Sequence, residues 1–424
     1  MPIKTLVFSL ALTLFPILAC ALASAQTKPH HAKPDARAIH RSALIIDTHA
    51  DTPGRFVDEN FDLATNTPVS RGHFDFGKVR QGNLGAEFFS IWVDPAVSTG
   101  YTRRALDMID SVYEQARLHP DDMVMAYSAE DIVKARTGPH KRLAALMGVE
   151  GGHAIENDIR VLRDFYRLGV RYMTLTWANT NEFADSSGDV NDPKVSHHNG
   201  LTDFGKQVVL EMNRLGMMVD ISHVSDKTFW DAVEVSKAPV IASHSSARAL
   251  TDVPRNMTDD MLRAVAKNGG VVQVNFNCGF VARDPDYNKK TQAFREAHPD
   301  LTKQQDELQK QFYQDHSPET KAKLDQVTDQ LRAGYPRPPL SDLIDHIDHV
   351  AKVAGIDHVG LGSDFDGVPC TPQGIDSVAD LPKITEALVE RGYDEQQIHK
   401  ILGENVLRVF RRVEQVSREM NTAK

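Results

Sequence analysis

The sequence of residues 218–244, MVDISHVSDKTFWDAVEVSKAPVIASH, decides the fold. Two short apolar runs, Met218–Ile221 and Val240–Ala242, flank an amphipathic segment, and they lead into His223 and His244 respectively. An apolar run, a helical segment and a second apolar run are typical of a parallel βαβ unit. We therefore predict two neighbouring parallel strands here, each followed by a histidine at its carboxyl end.

The same alternation extends outward from this stretch and begins at Ala43. The predicted strands are Leu44–Asp47, Glu87–Val93, Leu143–Val149, Tyr172–Thr176, Met218–Ile221, Val240–Ala242, Val271–Asn275 and His358–Gly362. Eight short strands with covering helices indicate an α/β protein, a (β/α)8 TIM barrel, which is a fold that tolerates long insertions. A doubly wound open sheet is the alternative, but the sequence has no dinucleotide-type glycine fingerprint to support it.

Residues 282–335 interrupt the alternation, because they are dense in Lys, Glu, Asp and Gln. Apolar residues recur there only at spaced positions such as Leu308, Phe312, Leu324 and Leu331. This pattern predicts a helical hairpin inserted between strands 7 and 8. The hairpin is either a solvated excursion or, because βα loops lie on the active face of a barrel, a lid or a homodimer contact.

Residues 1–25 differ in composition from the rest of the chain. Lys4 precedes a mostly apolar run over residues 6–22, and Ala23-Ser24-Ala25 follows this run. A positive start, an apolar middle and small residues at the end predict a secretory signal peptide that is cleaved before Gln26. The expected location of the mature protein is therefore periplasmic or secreted.

Two alternatives to cleavage remain open. One is a membrane anchor, and the other is lipidation at Cys20, because residues 17–20, Ile-Leu-Ala-Cys, resemble a bacterial lipobox. Residues 26–38 are polar and contain proline, which predicts a flexible mature N-terminus. A single TIM-barrel domain is expected over residues 39–424, with no transmembrane span in the mature chain.

The net charge of the chain argues against some classes of partner, and its cysteine content argues against some kinds of metal site. The chain has 48 basic and 58 acidic residues, and removal of residues 1–25 leaves 47 basic residues and a formal charge of −11. This negative charge argues against nucleic acid and anionic lipid as partners. Cys278 and Cys370 are too few for a disulfide framework or a thiolate zinc site, and the sequence leaves open whether they pair. A metal ion would therefore need histidines and carboxylates.

Residues of metal-ligand type follow five of the predicted strands. They are His49, Asp51, Glu150, His223, His244 and Asp364. His49 and Asp51 are two residues apart on an extended chain, so their side chains point the same way. Each residue alone is compatible with a loop cap or a satisfied buried polar group. Together they would converge on the barrel mouth, where buried charges need one another or a cation.

Three histidines and two carboxylates form a ligand set that zinc accepts. Two Zn²⁺ ions would be neutralised by Asp51, Glu150, a bridging hydroxide and Asp364. Glu150 lies on the strand between the two groups of ligands, which suits a bridging carboxylate. Such a metal pair activates water and polarises a carbonyl. Amide hydrolysis follows if Asp364 carries the proton from the nucleophile to the leaving amine.

Seven phrases resemble the membrane or renal dipeptidases of the metal-dependent amidohydrolase superfamily and span most of the chain. They are IDTHAD (46–51), GVEGGH (148–153), GLTDFG (200–205), DISHVS (220–225), SHSSA (243–247), SDFDG (363–367) and GENVLRVF (403–410). The resemblance implies a dipeptide substrate and two zinc ions. One ion would be bound by His49, Asp51 and Glu150, and the other by Glu150, His223 and His244.

The resemblance also implies roles beside the metals. Asp364 matches the acid/base aspartate of the family, and Arg255 matches the arginine that grips the C-terminal carboxylate of the substrate. An arginine suits this task because its guanidinium binds a carboxylate through two hydrogen bonds. Many members have a histidine, which contacts the scissile carbonyl oxygen, where this chain has Trp177. Trp177 either replaces that contact or forms a wall of the pocket, and His153 is a candidate supporting residue.

Two other functions remain open beside the zinc-dependent dipeptidase. One is a different amidohydrolase activity, such as deacylation of an N-acyl amino acid or opening of a lactone. Arg255 argues only weakly against substrates that lack a free carboxylate. The other is a catalytically silent secreted binding protein, which the presence of all five metal ligands disfavours and the change at Trp177 keeps open.

Overall fold

Parallel strands form one sheet in the computed structural model, which describes residues 1–3, 5–6, 34–96, 100–138, 140–315 and 317–423. Within these residues, strands β1–β9 are Ile45–Ala50, Leu84–Trp92, Met123–Met125, Leu143–Glu150, Val170–Thr174, Met218–Asp220, Ile241–Ala242, Val271–Val274 and Val359–Leu361. Their order is β2-β1-β9-β8-β7-β6-β5-β4-β3, and β2 also pairs with β4. The β2–β4 pairing closes eight strands into a barrel, and β3 lies beside the first residues of β4.

Helices surround this barrel. In the described part of the chain, α1–α17 are Ala36–Ser42, Thr52–Asp58, Phe76–Gln81, Tyr101–Leu118, Ala129–Thr137, Ile159–Arg167, Asp203–Leu215, Asp226–Val235, Asp259–Asn268, Cys278–Val281, Tyr287–Ala297, Pro299–Asp315, Pro318–Arg332, Leu340–Ala354, Leu381–Glu390, Glu395–His399 and Asn405–Thr422. Side chains of Thr202, Ser225 and Thr258 accept hydrogen bonds from first-turn amides and so begin α7, α8 and α9.

The predicted TIM barrel is confirmed, and the open sheet is wrong because the β2–β4 pairing closes the barrel. All eight predicted strands are present, although β1 extends to Ala50 instead of ending at Asp47. The ninth strand, β3, was not predicted, because its three residues are too few to show a period in the sequence.

One large side chain links the two sides of the barrel interior. Tyr172 of β5 is fully buried, and its hydroxyl donates a hydrogen bond to the carbonyl oxygen of Thr48 in β1 at 3.0 Å. Gly148 of the neighbouring β4 leaves room for this ring, since a Cβ there would lie 1.9 Å from it. The barrel core therefore supports the end of β1, where the first predicted ligand lies.

The predicted insertion at residues 282–335 is helical and lies between β8 and β9, the seventh and eighth barrel strands. It contains three helices, α11, α12 and α13, where a two-helix hairpin was predicted. Helix α13 is joined by ion pairs to the loop region after β1. Arg71 Nη1 lies 2.8 Å from Asp329 Oδ2, and Lys321 Nζ lies 3.3 Å from Glu59 Oε1. A role for the insertion as a lid or in a homodimer remains a prediction.

Residues 34–424 form one compact unit. Helix α1 begins at Ala36, inside the segment 26–38 that was predicted to be flexible, because the Asp35 side chain caps its first turn. The predicted cleavage site and Cys20 lie outside the described residues. None of the described helices has both the length and the apolar character that a membrane span requires.

Cys278 and Cys370 form a disulfide, with 5.5 Å between their Cα atoms and 92 residues of sequence separation. The bond joins α10, which follows β8, to the segment that follows β9. It therefore ties together two of the loops that surround the barrel mouth.

Candidate metal centre

The carboxyl ends of five barrel strands bring the predicted ligand residues together. His49 belongs to β1 and Glu150 ends β4, and the other residues follow β1, β6, β7 and β9 within three positions, namely Asp51, His223, His244 and Asp364. His223 and Asp364 both have a φ of 64°. This left-handed conformation is uncommon for residues with a side chain and is often retained at functional sites.

Glu150 lies at the centre of the site, and its two carboxylate oxygens face different histidines. Oε2 is 3.3 Å from Nε2 of His49. Oε1 is 3.0 Å from Nε2 of His223 and 3.4 Å from Nε2 of His244. Ser90 of β2 donates a hydrogen bond to Oε2 at 3.2 Å. The carboxylate is therefore oriented to join two groups of ligands.

Asp51 and Asp364 also lie close to His49. Oδ2 of Asp51 is 3.7 Å from Nε2 of His49, and one ligand atom from each of these three residues lies within 4.8 Å of the others. Gly367 permits this approach, because a Cβ there would be 1.8 Å from Oδ2 of Asp51 and 2.6 Å from Oδ1 of Asp364. We call His49, Asp51, Glu150, His223 and His244 the metal-ligand cluster.

A hydrogen-bond chain orients the ring of His49. Its Nδ1 lies 2.8 Å from the hydroxyl of Tyr172, and that hydroxyl donates its own proton to Thr48. In the neutral ring Nδ1 must therefore carry the proton, which leaves the lone pair on Nε2 facing Glu150.

A second hydrogen-bond chain orients the ring of His244. Its Nδ1 lies 2.7 Å from Oγ of Ser243, which donates to Oδ2 of Asp220 at 2.5 Å. Asp220 also accepts hydrogen bonds from the Thr174 hydroxyl and from the backbone N–H groups of Ser222 and Ser243. One buried carboxylate thus fixes the ends of β6 and β7 and the tautomer of His244.

Sequence reasoning assigned no role to Tyr172, Ser243 or Asp220. Asp220 does leave a signal, because an acidic residue within the apolar run Met218–Ile221 is costly to bury without partners. Tyr172 and Ser243 leave none, since both are ordinary strand-region residues, and the contacts of Tyr172 with His49 and of Ser243 with Asp220 join residues far apart in sequence.

The electrostatics of the cluster fit a bound cation. Burial lowers the pKa of His223 to about 4, and it lowers the pKa of His244 well below its ordinary value. Both rings are therefore neutral at pH 7, and their Nε2 atoms lie only 2.9 Å apart. Although burial opposes ionisation, the surrounding histidines hold the pKa of Glu150 well below its usual range.

Two buried atoms strengthen this fit. Among the described residues, Nε2 of His49 and Oδ1 of Asp51 have no hydrogen-bond partner. Buried donors and acceptors are normally satisfied, so unpartnered nitrogen and oxygen atoms around an ionised carboxylate suit a metal ion. The residues present therefore fit the metal that the ligand pattern predicted.

Asp364 differs from Glu150 in its ionisation. Burial, together with the negative charges of Asp51 and Glu150, raises the pKa of Asp364 to about 8 although His49 opposes this shift. Asn275, just after β8, donates a hydrogen bond to its Oδ2 at 2.9 Å. A carboxyl group that changes protonation near neutral pH is suited to proton transfer.

Arg255 lies beside the cluster. Its Nη1 donates to Oγ of Ser245 and its Nη2 to the carbonyl oxygen of His244, both at 2.6 Å. Arg255 and His223 line the same cavity of about 420 Å³. A molecule in this cavity would contact His223 and the guanidinium of Arg255 at once.

Trp177 lies at the barrel mouth, with its ring centre 6.4 Å from that of His223 and 5.1 Å from that of Trp92. Whether Trp177 donates to a substrate oxygen or forms a wall remains a prediction. His153 hydrogen-bonds through Nε2 to the carbonyl oxygen of Val93 at 2.8 Å. Its ring therefore supports the segment after β2, and this contact involves none of the predicted metal ligands.

The barrel and the ligand cluster at its carboxyl end define a metal-dependent hydrolase of the TIM-barrel class. Residues 34–424 match the family model described as membrane dipeptidase, peptidase family M19. The chain therefore belongs to this family and is a metallo-dipeptidase, which confirms the resemblance and the enzyme class predicted from the sequence.

Relatives and solved structures agree with this assignment. An uncharacterized dipeptidase of Schizosaccharomyces pombe is 35% identical over 402 residues, which cover 90% of this chain and 83% of that protein. The probable dipeptidase PvdM from Pseudomonas aeruginosa superposes with a TM-score of 0.73 at 25% identity, over 90% of this chain and 98% of its own. A metallo peptidase from Rhodobacter sphaeroides, liganded with a phosphinate mimic of the dipeptide L-Ala-D-Ala, has a TM-score of 0.68 at 25% identity, over 88% of this chain and 99% of its own.

Proposed function

We propose that the protein is a two-zinc dipeptidase that hydrolyses the peptide bond of dipeptides. The observation that carries the proposal is Glu150, whose oxygens face His49 on one side and His223 and His244 on the other. His49, Asp51 and Glu150 would hold one ion, and Glu150, His223 and His244 the second. The dipeptide mimic in the Rhodobacter sphaeroides structure supports the substrate class.

Bound zinc would lower the pKa of a water molecule and polarise the peptide carbonyl. Asp364 would take the proton that the attacking water loses and deliver it to the amine that leaves. Asn275 would hold the Asp364 carboxyl group in place through its hydrogen bond to Oδ2. Arg255 would position the substrate by binding its free carboxylate through two parallel hydrogen bonds.

Elemental analysis of protein purified without chelators tests the metal content. We expect about two zinc ions per chain, because the ligands form two sets that share Glu150. Dialysis against a chelator should remove activity, and added zinc should restore it. Full activity in protein with a zinc content near zero would overturn the proposal.

Arg255→Ala should lower kcat/KM for dipeptides on the order of 10²-fold, because it removes a charge-assisted, two-point contact with the carboxylate. C-terminally amidated dipeptides lack that carboxylate, so the wild-type enzyme should hydrolyse them poorly by a similar factor. Steady-state kinetics with matched free and amidated dipeptides measure both effects. Arg263→Ala, on the exposed part of α9, is the control. If Arg255→Ala still strongly prefers dipeptides with a free carboxylate over amidated dipeptides, a group other than Arg255 binds that carboxylate.

We further propose that the mature enzyme is exported, either after cleavage before Gln26 or as a lipoprotein at Cys20. The positive start, apolar run and small residues of the first 25 residues support export. Intact mass of protein from the native host distinguishes the two forms. Mature protein that retains residues 1–25 would contradict both.

A further inference from the structure

The cavity beside the metal-ligand cluster carries charges of both signs. Its lining includes Arg255 and His223, and also Asp189 and Asp192 from the long loop that follows β5. The mechanism proposed above uses Arg255 but neither aspartate. The role of these two carboxylates in the cavity is therefore unassigned.

Asp189 is held in a fixed orientation. Its Oδ2 accepts a hydrogen bond from the backbone N–H of Thr180 at 2.6 Å, and its Oδ1 accepts one from the Thr180 hydroxyl at 2.7 Å. The side chain is 16% exposed, and His197 Nε2 is 3.7 Å away. The two Thr180 donors are neutral, so they orient the carboxylate without cancelling its charge.

Asp192 lies at the exposed rim of the same cavity. Its Oδ1 accepts the backbone N–H of Lys194 at 2.9 Å. In the described parts of the chain, no lysine or arginine forms an ion pair with Asp189 or Asp192. Apart from His197 beside Asp189, the two carboxylates therefore have no basic partner in the described residues, and they lie in the same cavity as the guanidinium of Arg255.

A bound dipeptide would change the balance of positive and negative charge in the cavity. If its C-terminal carboxylate pairs with Arg255, the positive charge of the cavity is neutralised and the two aspartates dominate. The side chain of the same C-terminal residue leaves from the same Cα, so it must lie in or beside the cavity that holds Arg255. Charges in such a partly enclosed space are screened less than charges in bulk water.

We propose that Asp189 and Asp192 form a subsite for the side chain of the C-terminal residue and select dipeptides that end in lysine or arginine. This inference rests on the proposed function, because Arg255 must anchor the carboxylate for the side chain to face the two aspartates. The amino-terminal residue lies beyond the cleaved bond, so its side chain falls outside the subsite.

Matched substrates test the proposal with the zinc-loaded enzyme. Ala-Lys is compared with Ala-norleucine, and Ala-Arg with Ala-citrulline, because each pair has nearly the same shape but differs in charge. We expect kcat/KM to be about tenfold higher for the cationic member, and the ratio to fall as salt is raised. Lys-Ala and norleucine-Ala, which move the charge to the amino-terminal residue, should show no such ratio.

Variants then assign the effect to the two aspartates. Asp192→Asn should reduce the Ala-Lys to Ala-norleucine ratio, and the double variant with Asp189→Asn should bring it close to one. Asp192→Lys should shift the preference towards Ala-Glu. Asp107→Asn, an exposed aspartate on α4, is the matched control and should keep the wild-type ratio. Asp192 is exposed, so its variants test the proposal even if Asp189→Asn fails to fold.

Failure of the inference and failure of the proposed function have different signatures. Equal rates for cationic and neutral substrates, or a charge preference at the amino-terminal residue, would overturn the subsite and leave the dipeptidase intact. A wild-type ratio in Asp192→Asn and in the double variant would overturn it as well. If the zinc-loaded enzyme hydrolyses none of these dipeptides, the proposed function itself is wrong.

Discussion

Glu150→Gln is expected to abolish dipeptide hydrolysis, with a loss of kcat/KM on the order of 10⁴-fold or more, and to reduce zinc at both sites. The physical reason is the orientation of the carboxylate. Oε2 faces His49, whereas Oε1 faces His223 and His244. A glutamine side chain has one carbonyl oxygen and one NH₂ group, so one of the two ligand sets must face hydrogen atoms instead of a lone pair.

Zinc content and kinetics should be measured on the same preparation of Glu150→Gln, with a thermal unfolding curve to show that the chain is folded. Glu414→Gln is a suitable control, because Glu414 also accepts a hydrogen bond, from the backbone of Ala129, but lies in α17. Glu150→Asp keeps the charge and shortens the side chain, so it should retain more zinc than Glu150→Gln. Two zinc ions and normal turnover in Glu150→Gln would rule out the bridging role.

Asp364→Asn is expected to lose about 10²–10⁴-fold in kcat while it keeps both zinc ions. The amide still accepts the hydrogen bond from Asn275, but it cannot take up and release a proton. Burial raises the pKa of Asp364 to about 8, and a carboxyl group that exchanges its proton close to neutral pH is suited to this transfer.

The zinc content of Asp364→Asn is the decisive measurement, because a carboxylate oxygen of Asp364 lies within 4.8 Å of a ring nitrogen of His49 and of a carboxylate oxygen of Asp51. A large loss of zinc would show that Asp364 is a metal ligand. Normal kcat with full zinc would show that another group carries the proton. The expected combination, full zinc with lost turnover, separates the acid/base role from both outcomes.

Local patterns in the sequence were enough to predict the eight barrel strands and the residues that follow them. Each strand is a short apolar run, and parallel strands of a barrel all end at the same rim. His223 and His244, which are 21 residues apart, are therefore brought together by the fold class alone. Side chains alternate between the two faces of a strand, so the two-residue spacing also predicted that the side chains of His49 and Asp51 would point the same way.

Tertiary structure alone decided which atoms meet. Tyr172 reaches His49 across the barrel, Cys278 bonds to Cys370 over 92 residues, and Asp189 shares a cavity with Arg255. None of these pairs has a sequence period or a spacing that links its members. Periodicity reports which face of a strand or helix is buried, whereas the contacts that orient ligands depend on side-chain reach between elements distant in the chain. That is why the sequence alone determined the fold and the positions of the candidate ligand residues at the strand ends, while the tautomers, the disulfide and the charged lining of the cavity required the folded structure.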